Sequence, residues 1–395
     1  MKPLKYIFKK KKLLFWASCN SLLMTIFTFA WLALPFWSGD EVLLIRYTSA
    51  LKSIVFNLGN TPPPDRFLFV SVSWEKELIE KIEEKTGFPI GKTSITDRQR
   101  LAQFFDLVGT NPNHKFMVCD IFFKDKTPHD SLLAAKINKI PRFLASYHLD
   151  AANKPDYPSI DIPKALANYE SIGANTFIKY KMIYNDSIHT LPLLMYEQLH
   201  HTKIQKKGFL YYLNDRIAMN SFILDQPIRN YHLSTDSIFS QSKLFLGDLL
   251  DLAEADTTEF YALTKDRIII LGDFDGTTDV HETIFGETPG SLILLNAFLS
   301  IEKGDNLVGL SFIIYIMIGY FLISLKCFTQ SKFIEHLIGR LLRLKDDNFF
   351  IEIASYVGLL IFLSVFSYYL FNIHLSILFL SFYLNFAEKK YQSFS

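Results

Sequence analysis

Apolar positions along the chain are gathered into long uncharged runs near its two ends. Residues 13–39 contain no Asp, Glu, Lys or Arg, a run of 27 residues; a helix needs about 20 to cross a hydrocarbon core of ~30 Å. A second uncharged run covers residues 306–325, and a third of 35 residues covers 353–387. As a single helix the third would be ~52 Å long, too long for a bilayer. A break is expected at Asn372-Ile373-His374. The pattern predicts four membrane helices, over 13–37, 306–325, 351–371 and 373–387.

Between these runs the periodicity changes. Residues 66–73 (RFLFVSVS) and 115–123 (KFMVCDIFF) are rich in Val and Phe and read as buried strands. Residues 142–147, 208–213 and 266–272 (DRIIILG) are further strand candidates. Residues 75–86 read as a charged helix stopped by Gly87. Thr96 and Gln99 have capping-box spacing for a helix reaching Val108 and ended by Gly109. Residues 130–140 read as another helix. Thr288-Pro289-Gly290 is expected to open a helix through Ile301, with proline in a favoured first-turn position. Alternating strands and helices predict an α/β domain with a largely parallel sheet.

Charge orients the chain. Lys2, Lys5, Lys9, Lys10, Lys11 and Lys12 precede the first run. Lysine clusters stay cytoplasmic, so residues 1–12 are expected inside and the chain should leave the cytosol through the first helix. The run is too long for a cleaved signal peptide, whose apolar region spans roughly 7–15 residues. Residues 326–350 carry a basic excess and read as a cytoplasmic loop; its stretch 333–344 (FIEHLIGRLLRL) also has an amphipathic pattern. Lys389 and Lys390 suit a cytoplasmic tail over 388–395. Residues 38–305 then form an extracytoplasmic domain, with 28 Lys+Arg against 35 Asp+Glu. The whole chain balances 41 basic against 40 acidic residues, which removes the electrostatic footprint of nucleic-acid binding. Three cysteines exclude a disulfide scaffold.

The order of these segments resembles the second type of CHASE domain, an extracytoplasmic sensory module of bacterial cyclases and histidine kinases. The likeness is carried by residues 65–73 (DRFLFVSVS), 115–123, 243–252 (KLFLGDLLDL) and, most specifically, 266–301. The last stretch holds Gly272, Asp279, Phe285-Gly286, Pro289-Gly290 and Asn296-Ala297 in the family's order. The family also places one membrane helix before the domain and three after it. There are departures: Ser73-Trp74-Glu75 replaces an acidic pair, and Thr283-Ile284 replaces a threonine–proline pair. After the last apolar run only residues 388–395 remain, where family members commonly carry an output domain. The resemblance implies a sensor in the bacterial inner membrane, multi-pass, with residues 38–305 in the periplasm or outside the cell, that hands its signal to a separate membrane or cytoplasmic partner.

Candidate chemistry concentrates in residues 273–282 (DFDGTTDVHE). Ligands of open α/β sheets bind beyond the carboxyl ends of the strands. Asp120 and Asp273 lie at such ends, and Asp120, Asp273 and Asp279 are expected to converge. Asp275 belongs to the same loop, and Thr288 with the amides opening the Gly290 helix is expected to supply donors. A weaker expectation makes Asp273, Asp279 and His281 ligands of a divalent metal; it fits a metal-dependent envelope hydrolase. The loop does not follow the calcium-loop template, and tight-turn chemistry, in which Asp and Gly support the exit from a strand, is the plainer reading. Gly91-Lys92-Thr93 lacks phosphate-loop spacing. His200-His201 lacks a partner at metal spacing. Asn185-Asp186-Ser187 matches a glycosylation acceptor, which matters only in a eukaryotic secretory route. No Gly-x-Ser-x-Gly, Cys-x-x-Cys or His-Glu-x-x-His motif occurs. A non-enzymatic sensor with no cofactor is the expected reading.

Overall fold

The structure is a computed structural model of the 395-residue chain. It describes residues 2–32, 44–49, 51–52, 61–82, 88–168, 177–208, 210–276, 279–329 and 349–392. The chain begins with α1 (Lys2–Leu32). Next come β1 (Phe67–Ser71), β2 (Lys76–Ile82), β3 (Pro89–Thr96), α2 (Arg98–Thr110), β4 (Phe116–Cys119), α3 (Asp130–Ile137), β5 (Phe143–Leu149), β6 (Pro155–Asp156), β7 (Lys164–Leu166) and α4 (Leu191–His200). The strands β8 (Gln205–Lys207), β9 (Leu210–Leu213) and β10 (Arg216–Ala218) precede β11 (Lys243–Phe245), α5 (Leu246–Ala255), α6 (Thr257–Thr264) and β12 (Ile268–Gly272). The chain closes with β13 (Val280–Thr283), β14 (Gly286–Pro289), α7 (Gly290–Lys303), β15 (Leu307–Val308), α8 (Leu310–Thr329), α9 (Phe349–Phe371) and α10 (Ile377–Gln392).

The chain divides into two compact units. One is built from residues 59–203 and 224–303, the other from 1–58, 204–223 and 304–395. The expected extracytoplasmic stretch 38–305 does not follow this division, because 204–223 groups with the apolar helices.

In the first unit, the sheet runs β11-β1-β12-β4-β5, with β7 beside β5. All these pairings are parallel; β6 adds an antiparallel edge to β5. β1, β4 and β12 are buried at every position, as parallel strands covered on both faces must be. On one face Leu68, Val70, Met117, Cys119, Ile269 and Leu271 pack with α2, α3, α5 and α6 through Leu101, Phe104, Leu133, Leu249 and Phe260. On the other, Phe69 meets Phe239 and Phe274 edge-on at 5.6 and 5.5 Å. α7 is buried from Gly290 to Ile301.

Several expectations are corrected. Residues 76–82 form β2, not a helix, paired antiparallel with β3. Leu78, Ile79 and Ile82 suit a helix face as well as a strand, so the local pattern is ambiguous. The partner strand decides it, setting Glu80 opposite Lys92 and Leu78 opposite Ser94. Gly87, the expected stop, lies outside the described residues. The cap of α2 is Asp97 rather than Thr96; its carboxylate accepts from the amides of Gln99 and Arg100 at 2.9 and 3.0 Å. α2 continues through Gly109 to Thr110. Thr288 and Pro289 end β14, and α7 starts at Gly290.

In the second unit, three helical stretches among the described residues are long and apolar enough to cross a membrane: Lys11–Leu32, Leu310–Thr329 and Ala354–Phe371. The first expected span ran to 37, of which 33–37 lie outside the described residues. The second begins at Leu310 rather than 306, because Leu307 and Val308 form β15 against β10. The expected break appears at 372–376, with Asn372 in the left-handed region at φ 60°. α10, the fourth expected span, has 16 residues. Of the expected loop 326–350, residues 330–348 lie outside the described residues. Small and hydroxyl side chains join these helices. Asn20 donates to Ser324 at 2.8 Å, Ser21 to the Met317 carbonyl at 2.7 Å, and Thr28 pairs with Tyr320 at 2.7 Å. Such polar contacts are a usual means of helix association in lipid.

Candidate functional site

The carboxyl ends of β1, β12 and β4 lie side by side in the sheet, with Ser71, Gly272 and Cys119 as their last residues. Asp120 follows β4, and its amide continues the ladder by donating to the Leu271 carbonyl at 2.8 Å. One carboxylate oxygen accepts a short hydrogen bond from Ser146 of β5. The other accepts from Ser291, the second residue of α7, at 2.9 Å. Burial pushes the Asp120 carboxyl up to about 7, helped by the nearby Asp279 charge. The two serine hydroxyls and His281 act against that rise without cancelling it. Asp279 pairs with His281 Nε2 at 3.0 Å. His148, on β5, is held below its ordinary value by burial, against the pull of Asp279.

Gly272 permits this arrangement. A Cβ there would lie 1.9 Å from Ser291 Oγ and 2.8 Å from its Cβ. The strand end and the first turn of α7 can therefore meet only through glycine.

Asp273 and Asp275 form a separate cluster beside β1. Asp273 accepts from Ser73 and from the Gly276 amide at 2.7 Å, and Lys76 lies 3.6 Å away. Asp275 accepts from Ser71 at 2.8 Å and is ion-paired with Lys243 of β11, while its amide donates to Ser73 at 3.0 Å. This is turn chemistry reinforced by two cations. A Cβ on Gly276 would meet the Asp273 carboxylate at 2.3 Å.

Of the expected site, Asp120 and Asp279 are brought near each other, whereas Asp273 is held with Lys76 and Ser73. Thr288 does not serve Asp120. Its hydroxyl lies 3.3 Å from Thr283, 3.4 Å from Gln226 and 3.2 Å from the Gly286 carbonyl. Ser291 is the donor from the opening of α7. The expected metal set Asp273, Asp279 and His281 is likewise corrected: among the described residues no group of three or more His, Cys, Asp or Glu side chains could hold a metal ion. Ser71, Ser73, Lys76, Ser146, His148, Lys243 and Ser291 were not foreseen. A carboxylate near neutrality, lined by hydroxyl groups at a strand end, can bind a polar solute or exchange a proton. Beside the second cluster opens a groove of about 830 Å³, lined by Tyr231, Lys243, Phe274, Asp275, Glu282 and Glu287 among others.

The Asn296-Ala297 pair has a structural role. Asn296, fully buried, donates to the Ile228 carbonyl at 2.7 Å and accepts from the Ile228 amide at 3.0 Å, clamping that segment to α7. Comparison of the chain with protein-family models, with curated proteins and with solved structures gives no match in any of the three.

Proposed function

We propose that this protein is a non-enzymatic sensor of the bacterial inner membrane. Its α/β unit, of the CHASE type, detects a stimulus in the periplasm or outside the cell and passes it through the apolar helices to a separate partner protein. The observation that carries the reading is the bond between Asp120 and Ser291. It ties the site to the first turn of α7, and α7 is followed after only residues 304–309 by the apolar helix α8. A stimulus that binds or protonates the site differently in two positions of α7 shifts their populations by that difference. A coupling of about 1–3 kcal/mol is the usual scale. The three apolar helices, the N-terminal lysine cluster and the order of motifs in 266–301 support the reading.

Two measurements test it separately. Asp156→Cys should react with a membrane-impermeant maleimide in intact cells; labelling only after permeabilisation would overturn the outside placement. A fluorophore on Thr329→Cys, at the end of α8, should change its emission when Asp120→Asn is added. An unchanged emission in a folded chain would overturn transmission through α7 while leaving the placement untouched.

A further inference from the structure

The hairpin of β2 and β3 pairs with no other strand among the described residues. Two-stranded ribbons are marginal in water without a third strand or a packing surface. This one nevertheless presents large apolar side chains to solvent: Leu78 is 69% exposed and Ile90 57%, with Trp74 and Phe88 at its two ends at 72% and 71%. Among the described residues no strand covers the outer edge of β2, and a free strand edge is the usual invitation to another strand.

The charges on that edge select its partner. β2 reads Lys76-Glu77-Leu78-Ile79-Glu80-Lys81-Ile82. Placed antiparallel against itself with Leu78 opposite Leu78, the strand sets Lys76 opposite Glu80 twice. Lys76, Leu78 and Glu80 share one face of the pleat. The apolar pair is then flanked on that face by two opposite-charge pairs, each a favourable cross-strand contact. A slip that centres the axis between Leu78 and Ile79 sets Lys76 opposite Lys81 and Glu77 opposite Glu80, so both charged pairs are repulsive. A further slip to Ile79 sets Glu77 opposite Lys81, but it places the exposed Leu78 against Glu80 and pairs instead the half-buried Ile79. Only the first register joins opposite charges and covers the exposed Leu78 with its own copy.

We propose that β2 is a dimerisation edge, pairing antiparallel with β2 of a second copy of this chain about a two-fold axis at Leu78. The two hairpins then form a four-stranded sheet, and the exposed Leu78 side chains cover each other. The same charges that favour this register oppose indiscriminate strand addition.

The test uses the full chain in lipid nanodiscs and in native membranes, with Cys19→Ser removing the exposed native thiol. Residues opposite each other in such a ladder have Cβ atoms about 4.5–5.5 Å apart, close to disulfide reach. Under mild oxidation Leu78→Cys should give a covalent dimer as the main species. Leu132→Cys, an exposed position on α3, should stay largely monomeric, and Lys76→Cys combined with Glu80→Cys should cross-link. Glu80→Lys, which sets two lysines opposite each other in this register, should weaken the uncrosslinked dimer about three- to tenfold by sedimentation. A chain that stays monomeric, or a dimer that cross-links no better at 78 than at 132, would overturn the proposal. Because Leu78 faces solvent, loss of folding does not confound the result.

Discussion

Ser291 and Asp120, 171 residues apart in sequence, are joined by a hydrogen bond of 2.9 Å directly beside Gly272. The closeness of strand and helix there makes the glycine a steric requirement. Gly272→Ala should destabilise the protein by roughly 1–3 kcal/mol, the usual cost of forcing atoms into a packed interior. Ser291→Ala added to it should recover little, because the Ser291 Cβ remains 2.8 Å from the new methyl group. Ser291→Gly should recover more. Denaturant unfolding of the four chains in detergent checks the order.

Asp120 makes stability depend on pH with a definite sign. Its folded value, about 7, lies above the ordinary 3.8, so the folded state holds the proton more tightly than the unfolded chain. The stability associated with this proton is fully present below about pH 4 and is lost as pH rises towards 7, by at most ~1.4 kcal/mol per pH unit. His148, held below its ordinary value, works in the opposite direction. The clean observable is therefore the difference between the native chain and Asp120→Asn. The native chain should lose stability relative to the variant between about pH 4 and 7, and run parallel to it above. Parallel curves throughout would mean that Asp120 titrates normally.

The Asn296 clamp sets a third expectation. Asn296→Ala removes both partners of a buried peptide group at Ile228, and unpaired buried groups cost about 1–3 kcal/mol each. A loss of roughly 2–4 kcal/mol is expected in equilibrium unfolding. Hydrogen exchange at the Ile228 amide should rise more than at the buried amides of β4.

Asp97→Ala should cost about 1 kcal/mol, the usual worth of a helix cap. Asp97→Ser should recover most of it, whereas Thr96→Ala should leave the helix start unpaired at neither amide. Amide exchange at Gln99 and Arg100 separates the two positions.

Within the helical unit, Asn20→Leu removes hydrogen bonds to both Ser324 and Tyr383. Single polar contacts between membrane helices are worth about 0.6–2 kcal/mol. Resistance of α1 to dissociation from α8 in graded detergent should fall accordingly, and Asn20→Gln should lose less.

The parts of the fold legible in sequence were those where burial is uniform. β1, β4 and β12 are apolar at nearly every position because helices cover both faces, and such runs stand out. The apolar helices and the break at Asn372 were legible for the same reason. β2 was misread because Leu78, Ile79 and Ile82 satisfy two periods at once; the deciding partner begins only at Pro89. The acidic loop was found, but its division was not. Whether Asp273 meets Asp120 or Lys76 depends on which strand flanks β12 on each side, and strand order carries no local sequence mark. The serines at 71, 73, 146 and 291 are ordinary residues whose role comes from the ends they occupy. Ser291, two residues beyond Pro289, had a usable signal: a hydroxyl in the first turn of a helix that follows a strand–loop–strand.

The excursion of residues 204–223 has a practical corollary. The polypeptide passes between the two units four times, at 58/59, 203/204, 223/224 and 303/304. A clone ending at Lys303 would strand β10 without its neighbour β15, inviting aggregation of a fragment that looks autonomous on paper. Soluble expression of the α/β unit calls for excising 204–223 and bridging the gap, and a lone protease nick in any one crossing should leave both halves tethered.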